Sequence, residues 1–268
     1  MKAIAAPRPS SSPLSGFADI LRSECCKLRS VRSTYWMLLA AVGSNVALAA
    51  LLAIFLPRQL SVHEKATIDA VRVSLGGLHV SQIAFGVLGV LVVTSEYDTG
   101  MIRATLSAVP RRRRMLAAKT IMFAVTALIV GTGAGFAAYF VFQAFLTGDS
   151  LRTSLGDSGV LRAVTGAGLY LAVLGLFGLG LGAIIRSSAG AIAALFGVLF
   201  VPQLITALLP HAWQDTIGPY LPMEAGGAIF TVHQDAGSLG AWSEFGVFCL
   251  YAAVSLGAGF VLITRRDA

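Results

Sequence analysis

Long apolar runs alternate with short polar breaks from about residue 35 to the end of the chain. Six runs stand out, at residues 35–56, 79–95, 119–146, 163–185, 189–209 and 245–264. As a helix the first is about 30 Å long, the thickness of a bilayer's hydrocarbon core. Asp, Glu, Lys and Arg are missing from the interiors of all six, and only a helix or a closed barrel satisfies its own backbone in lipid. The pattern therefore predicts an all-α, polytopic membrane protein with six transmembrane helices. The leading residues 1–15, with three prolines and the run Ser10-Ser11-Ser12, read as a disordered tail. Residues 16–268 read as a single membrane domain.

Between tail and first run, Phe17, Ile20, Leu21, Cys25 and Leu28 share one helical face, with Arg22, Lys27 and Arg29 largely off it. This predicts an interfacial helix over 16–33, the alternative being a frayed basic flank. The break between the second and third runs is the most polar in the chain. It runs from Glu96 through Asp98, Thr99 and Gly100 to Pro110, then Arg111, Arg112, Arg113 and Arg114. Four arginines are excluded from hydrocarbon at roughly 2.5–3.5 kcal/mol each, whereas an anionic cytoplasmic surface favours each by about 1 kcal/mol. Within the break, Asp98 or Thr99 supplies a helix cap. Ile102, Leu106 and Val109 then form an apolar stripe at helical spacing with Arg103 off it, and Pro110 ends it. Such a helix suits docking on a partner, or else lies on the membrane surface against its own spans.

Between the fifth and sixth runs, residues 210–244 hold Asp215, Glu224, Asp235 and Glu244 but no Lys or Arg. Ile217, Tyr220, Leu221, Ala225, Ala228, Ile229 and Phe230 make this stretch too apolar for a solvated loop. Short helices dipping back toward the membrane from outside are the expectation. The loop at 57–78, with His63, Glu64, Lys65 and Asp69, reads as an external loop of mixed charge. Gly131 and Gly135, and likewise Gly178 and Gly182, are spaced for close approach of helices in lipid.

Composition sharpens this. Hydrophobic residues make up 56 % of the chain and charged ones 12 %, half the charged share of a soluble domain. The net charge of +7 suggests nucleic acid only until its distribution is seen. About fifteen of the twenty Lys and Arg fall on the side assigned to the cytoplasm, which is a topology signal, with both termini inside. Nucleic acid is therefore not an expected partner. The three cysteines and the scattered His63, His79, His211 and His233 have no metal or disulfide spacing. No Walker A pattern or hydrolase motif is present, and Gly131-Thr132-Gly133-Ala134-Gly135 lies inside an apolar run with no strand before it. With no ionisable group at mid-span to couple an ion gradient, a transport protein of this kind must borrow its energy. A membrane enzyme, favoured by a polar cluster facing the bundle interior, and a non-transporting regulatory partner are the other readings.

Three stretches carry a family resemblance. Glu96-Tyr97-Asp98-x-Gly100-x-Ile102-Arg103, with Leu106, Pro110, Arg112-Arg113 and Lys119, resembles the loop after the second span in permease subunits of type-two ATP-binding-cassette (ABC) exporters. Glu24-x-x-Lys27-Leu28-x-Ser30-x-Arg32-Ser33 is similar to their interfacial helix, and Leu221-Pro222-Met223-Glu224-Ala225-Gly226 to a motif of their last external region. Departures occur at Met101, where Thr is common, and at Met223-Glu224, where small or polar residues are usual. The resemblance implies a plasma-membrane permease in which two six-span subunits, identical or not, form one pathway over separate ATPase subunits. It implies a coupling helix within Glu96–Pro110, with Glu96, Gly100, Ile102, Arg103, Leu106, Val109 and Pro110 at the ATPase interface and Arg111 to Arg114 anchoring the loop at the lipid surface. ATP would then bind the partner and no cofactor this chain, which is not itself an enzyme. Single-cysteine labelling in a Cys-free background checks the topology: Arg112→Cys stays unlabelled by an impermeant reagent outside intact cells, while His63→Cys reacts.

Overall fold

The computed structural model describes residues 15–30, 32–101, 112–146, 148, 151–232 and 239–265. Ile102, Arg103, Leu106, Val109, Pro110 and Arg111, and the tail before Ser15, lie outside them. The described residues form helices and turns without a strand. Six helices are long and apolar enough to cross a membrane: Arg32–Gln59, Leu78–Asp98, Arg112–Phe145, Val160–Ile185, Ser188–Ala207 and Ala241–Arg265. The chain is an all-α polytopic membrane protein. A separate N-terminal helix, Ser15–Ser30, precedes the first span.

Hydropathy underestimates the ends of the spans. The third helix begins at Arg112 rather than Lys119, so Lys119 sits two turns inside it instead of at its edge. Three arginines in a first turn oppose the helix dipole, and Arg112 is held there by the Ile263 carbonyl of the sixth span.

The fourth span is the centre of the bundle. Of its most apolar window 67 % is buried, against 17 % for the fifth span, and the second, third and sixth spans pack around it. Glycine permits this. A Cβ on Gly89 of the second span would fall on the carbonyl of Gly175, and one on Gly182 would lie 2.9 Å from the carbonyl oxygen of Val90. On the third span, a Cβ on Gly131 would lie 3.1 Å from the Gly168 Cα, and one on Gly135 2.8 Å from the Val164 carbonyl oxygen. Larger side chains fill the remainder: Phe85, Leu116, Leu171, Leu174 and Phe248 are fully buried.

At the end away from the termini, the mixed-charge loop is more ordered than its composition suggests. It forms two short helices, Val62–Thr67 and Ala70–Ser74. Ser61 Oγ accepts the Glu64 N–H at 3.3 Å while Glu64 Oε2 accepts the Ser61 N–H at 2.8 Å, a reciprocal cap. Hydrogen bonding to the carboxylate from the Ser61 side chain, and then from the Ser61 backbone N–H, holds the Glu64 carboxyl below its ordinary pKa. Asp69 caps the second helix through the N–H groups of Val71 and Arg72, and its other oxygen accepts the Val232 N–H at 2.6 Å. The segment before the sixth span folds into short helices at His211–Ile217 and Pro222–Gly227, with 3₁₀ turns at Gly218–Tyr220 and Ala228–Phe230. Ala225, Ile229 and Phe230 are buried there. Arg162 of the fourth span donates to the carbonyls of Ile229 at 3.1 Å and Thr231 at 2.9 Å, satisfying backbone that lipid would leave bare.

Packing this tight predicts an asymmetry between glycines. Gly89→Ala drives a methyl into the Gly175 carbonyl and is expected to cost about 3 kcal/mol, the upper end for overpacking. Gly197→Ala, where nothing lies within 4 Å, is neutral or gains about 0.5–1 kcal/mol from helix propensity. Apparent melting of the two variants in detergent separates them.

Candidate functional site

Three helix ends meet where the Glu96–Arg114 break leaves and re-enters the bundle. Glu24 comes from the N-terminal helix, Glu96 from the last turns of the second span, and Lys119 from the third span. Lys119 is 3 % exposed, Glu24 5 % and Glu96 7 %, so these charges are held out of water. Lys119 Nζ donates to Glu24 Oε2 at 2.9 Å and to Glu96 Oε1 at 2.7 Å. Short charge-assisted bonds of this kind are about twice as strong as neutral ones. In a desolvated setting they lock geometry more than they add net stability. One ammonium thus ties the N-terminal helix to the two spans that flank the break.

A second set of contacts binds the remaining helix ends at the same level. Ser188, at the start of the fifth span, donates to Asp98 and shares a 2.6 Å bond with Thr94. Arg186 stands in the turn between fourth and fifth spans with a left-handed φ of 61°. Its guanidinium lies over the Tyr97 ring at 5.3 Å and reaches the Leu262 carbonyl of the sixth span at 3.4 Å. Arg112 meets the next carbonyl, Ile263, at the same distance. Helices two through six therefore converge on the few residues either side of the break.

The expected site residues divide accordingly. Glu96, assigned by resemblance to a partner's surface, turns inward: its Oε1 is on Lys119, because a carboxylate buried at that depth needs a cation within the fold. Gly100 adopts φ 69° two residues past the end of the second span, just after the cap Thr99, the left-handed conformation that stops a helix at least cost with glycine. Arg113 is exposed, Arg112 and Arg114 half-buried. Ile102, Arg103, Leu106, Val109, Pro110 and Arg111 are outside the described residues.

Sequence reading missed the clamp although all three of its residues lie in the motifs quoted above. The available signal was an acid, Glu24, among the bases of the N-terminal helix, and a lone base, Lys119, leading an apolar run.

Polar side chains also face the bundle interior at Asn45, Ser81, Gln82 and Tyr170. Their bonds go to the carbonyls of Ala134 and Ala41 on neighbouring helices, and from the Tyr170 hydroxyl to Gln82. No nucleophile–base pair arises from them. Among the described residues, no three His, Cys, Asp or Glu are grouped to hold a metal ion.

Residues 20–202 match the family described as ABC-2 family transporter protein. That segment runs from the N-terminal helix through most of the fifth span and contains Glu24, Glu96 and Lys119. No curated protein matches the chain.

Breaking the clamp at its centre is costly, since Lys119→Met removes the ammonium that two buried carboxylates share. The expected loss is about 3–5 kcal/mol, read as a fall in folded yield and in apparent melting temperature. Converting all three positions together, with Glu24→Gln, Glu96→Gln and Lys119→Met, removes the uncompensated charge and restores most of the loss.

Proposed function

The chain belongs to the ABC-2 family of transporter proteins, and from that premise we propose that it is the membrane subunit of an ATP-driven exporter. Family membership favours a transporter over an enzyme. Without a nucleotide-binding motif of its own, the chain takes its energy from a separate ABC-type ATPase. A second six-span permease, identical or different, completes the pathway. In this reading the protein resides in the plasma membrane with both termini cytoplasmic, and the loop over Glu96–Pro110 rests on the ATPase.

The observation that carries the coupling is the Glu24–Lys119–Glu96 clamp. A loop displaced by closure of the ATPase pair would move its own two ends, the second and third spans. Lys119 bonds the second span to the third and both to the N-terminal helix, so the three elements respond together rather than bending separately. The Asp98–Ser188 and Arg186–Leu262 contacts pass the displacement on to the fifth and sixth spans. Glu96 then works inside the permease, as the post to which the loop is tied, and the Ile102/Leu106/Val109 stripe meets the partner.

Leu106→Asp tests this. Burying one leucine is worth roughly 1.5–3 kcal/mol, and an unpaired carboxylate in the same contact costs more. The variant is expected to insert in the membrane normally, to co-purify poorly with the ATPase and to lose ATP-dependent transport in vesicles. Arg112→Ala alone leaves both near wild type, because neighbouring arginines keep the anchor. Wild-type docking and transport by Leu106→Asp would remove the loop from the coupling role.

A further inference from the structure

A cavity of about 490 Å³ opens at the end of the bundle opposite the clamp, between the starts of the second and sixth spans, the end of the fifth, and the short helices after it. This is the size of a small-molecule site. Its wall is divided chemically. Leu78, Tyr170 and Phe230 give it a buried apolar floor, with the Tyr170 and Phe230 rings edge to face at 5.3 Å. Asp215, Glu224 and Glu244 bring three carboxylates to the lining, against one guanidinium, Arg72, and the imidazole of His79.

Two of the carboxylates are not consumed by the fold. Glu244 is buried and accepts the Leu239 N–H at 2.9 Å, as a cap at the start of the sixth span. Glu224 and Asp215 are exposed at the cavity. Glu224 accepts from the amide of Gln203, a neutral donor, and neither carboxylate forms an ion pair with a described residue. At the floor, Gln82 is 4 % exposed. Its carbonyl accepts the Tyr170 hydroxyl, while its amide N–H groups reach no acceptor among the described residues. Because Gln82 lines the cavity, these donors are open to it and are satisfied by water or by a ligand. The cavity thus offers negative charge near its mouth, ring faces within, and one hydrogen-bond donor at the bottom.

We propose that this cavity binds an amphiphilic organic cation: a molecule with a positively charged head at Asp215 and Glu224, an apolar body against Tyr170 and Phe230, and a polar acceptor within reach of Gln82. An anion of equal size meets the carboxylates and is rejected. A neutral molecule gains the floor but not the mouth. As a statement about cargo this rests on the exporter reading, whereas the binding itself needs neither ATP nor a partner.

The experiment uses the full chain in nanodiscs of zwitterionic lipid, with empty nanodiscs to subtract partitioning. Tetraphenylphosphonium and tetraphenylborate are the probes, matched in size and apolarity and opposite in charge. Equilibrium dialysis is expected to give saturable binding of the cation, one per chain, and none of the anion. The double variant Asp215→Asn/Glu224→Gln is expected to bind the cation at least about tenfold more weakly, ~1.4 kcal/mol, with unchanged melting. Ala207→Trp, which narrows the cavity without touching its charge, is expected to lose cation binding as well. It is the deciding variant if the double one fails to fold. Equal binding of the two ions, no saturable component, or wild-type cation affinity in either folded variant overturns the site. None of these outcomes bears on ATPase docking, so the exporter reading stands or falls separately at Leu106.

Discussion

Helices in lipid gain nothing from hiding apolar side chains from one another, since the acyl chains are as apolar as leucine. What holds this bundle is shape, and its tightest shape is the seam between the second and fourth spans. Gly89 faces the Gly175 carbonyl there, and Gly182 faces that of Val90. Backbone approach of this kind brings whole helices within dispersion range and fixes their relative height. Because the fourth span also receives the third at Gly131 and Gly135, and the sixth at Gly180, the heights of four spans are set by one helix. The positions of Glu96 and Lys119 follow from it. They meet because their helices have no freedom to slide.

Charged groups among the described residues are then confined to the two ends, and the ends differ in kind. At the end bearing the termini, charges pair with each other and with carbonyls across helix boundaries, in short contacts that leave little room. At the other end the charged groups surround a space. A buried ion pair is an unreliable source of stability but a good source of unique geometry, which suits a junction. Carboxylates at a cavity mouth serve recognition instead. The same fold therefore separates a mechanical region from a chemical one by the full length of its spans.

How much of this could be read in advance depends on the range of the interaction involved. The six helices were legible because lipid demands about twenty apolar residues at a stretch, a local pattern. The short helices after the fifth span were legible too, because Ile229 and Phe230 are too apolar for open solvent. The helices at Val62–Thr67 and Ala70–Ser74 were not, being too short to show a period. Yet the Ser61-x-x-Glu64 spacing of a reciprocal cap was there to be seen. The clamp joins residues 95 and 23 positions apart, and no local pattern reports such a meeting. Glu96 was read as a contact for a partner, and its bond to Lys119 inside the fold is one that no local pattern reports. The cavity is a property of many elements folded together and has no signature in any one of them.

Asp69 holds two parts of the chain that sequence keeps far apart. One of its oxygens caps the helix at Ala70–Ser74, and the other takes the N–H of Val232, 163 residues later. The loop after the first span and the segment before the sixth are in effect one structural piece, joined through a single side chain. The bond needs the carboxylate of Asp69 but only a backbone N–H at Val232, so the joint depends on the identity of one residue and not of two. A chimera meant to transplant the distal face of this protein keeps the joint wherever Asp69 is carried with its helix and position 232 is any residue but proline, which has no N–H to donate.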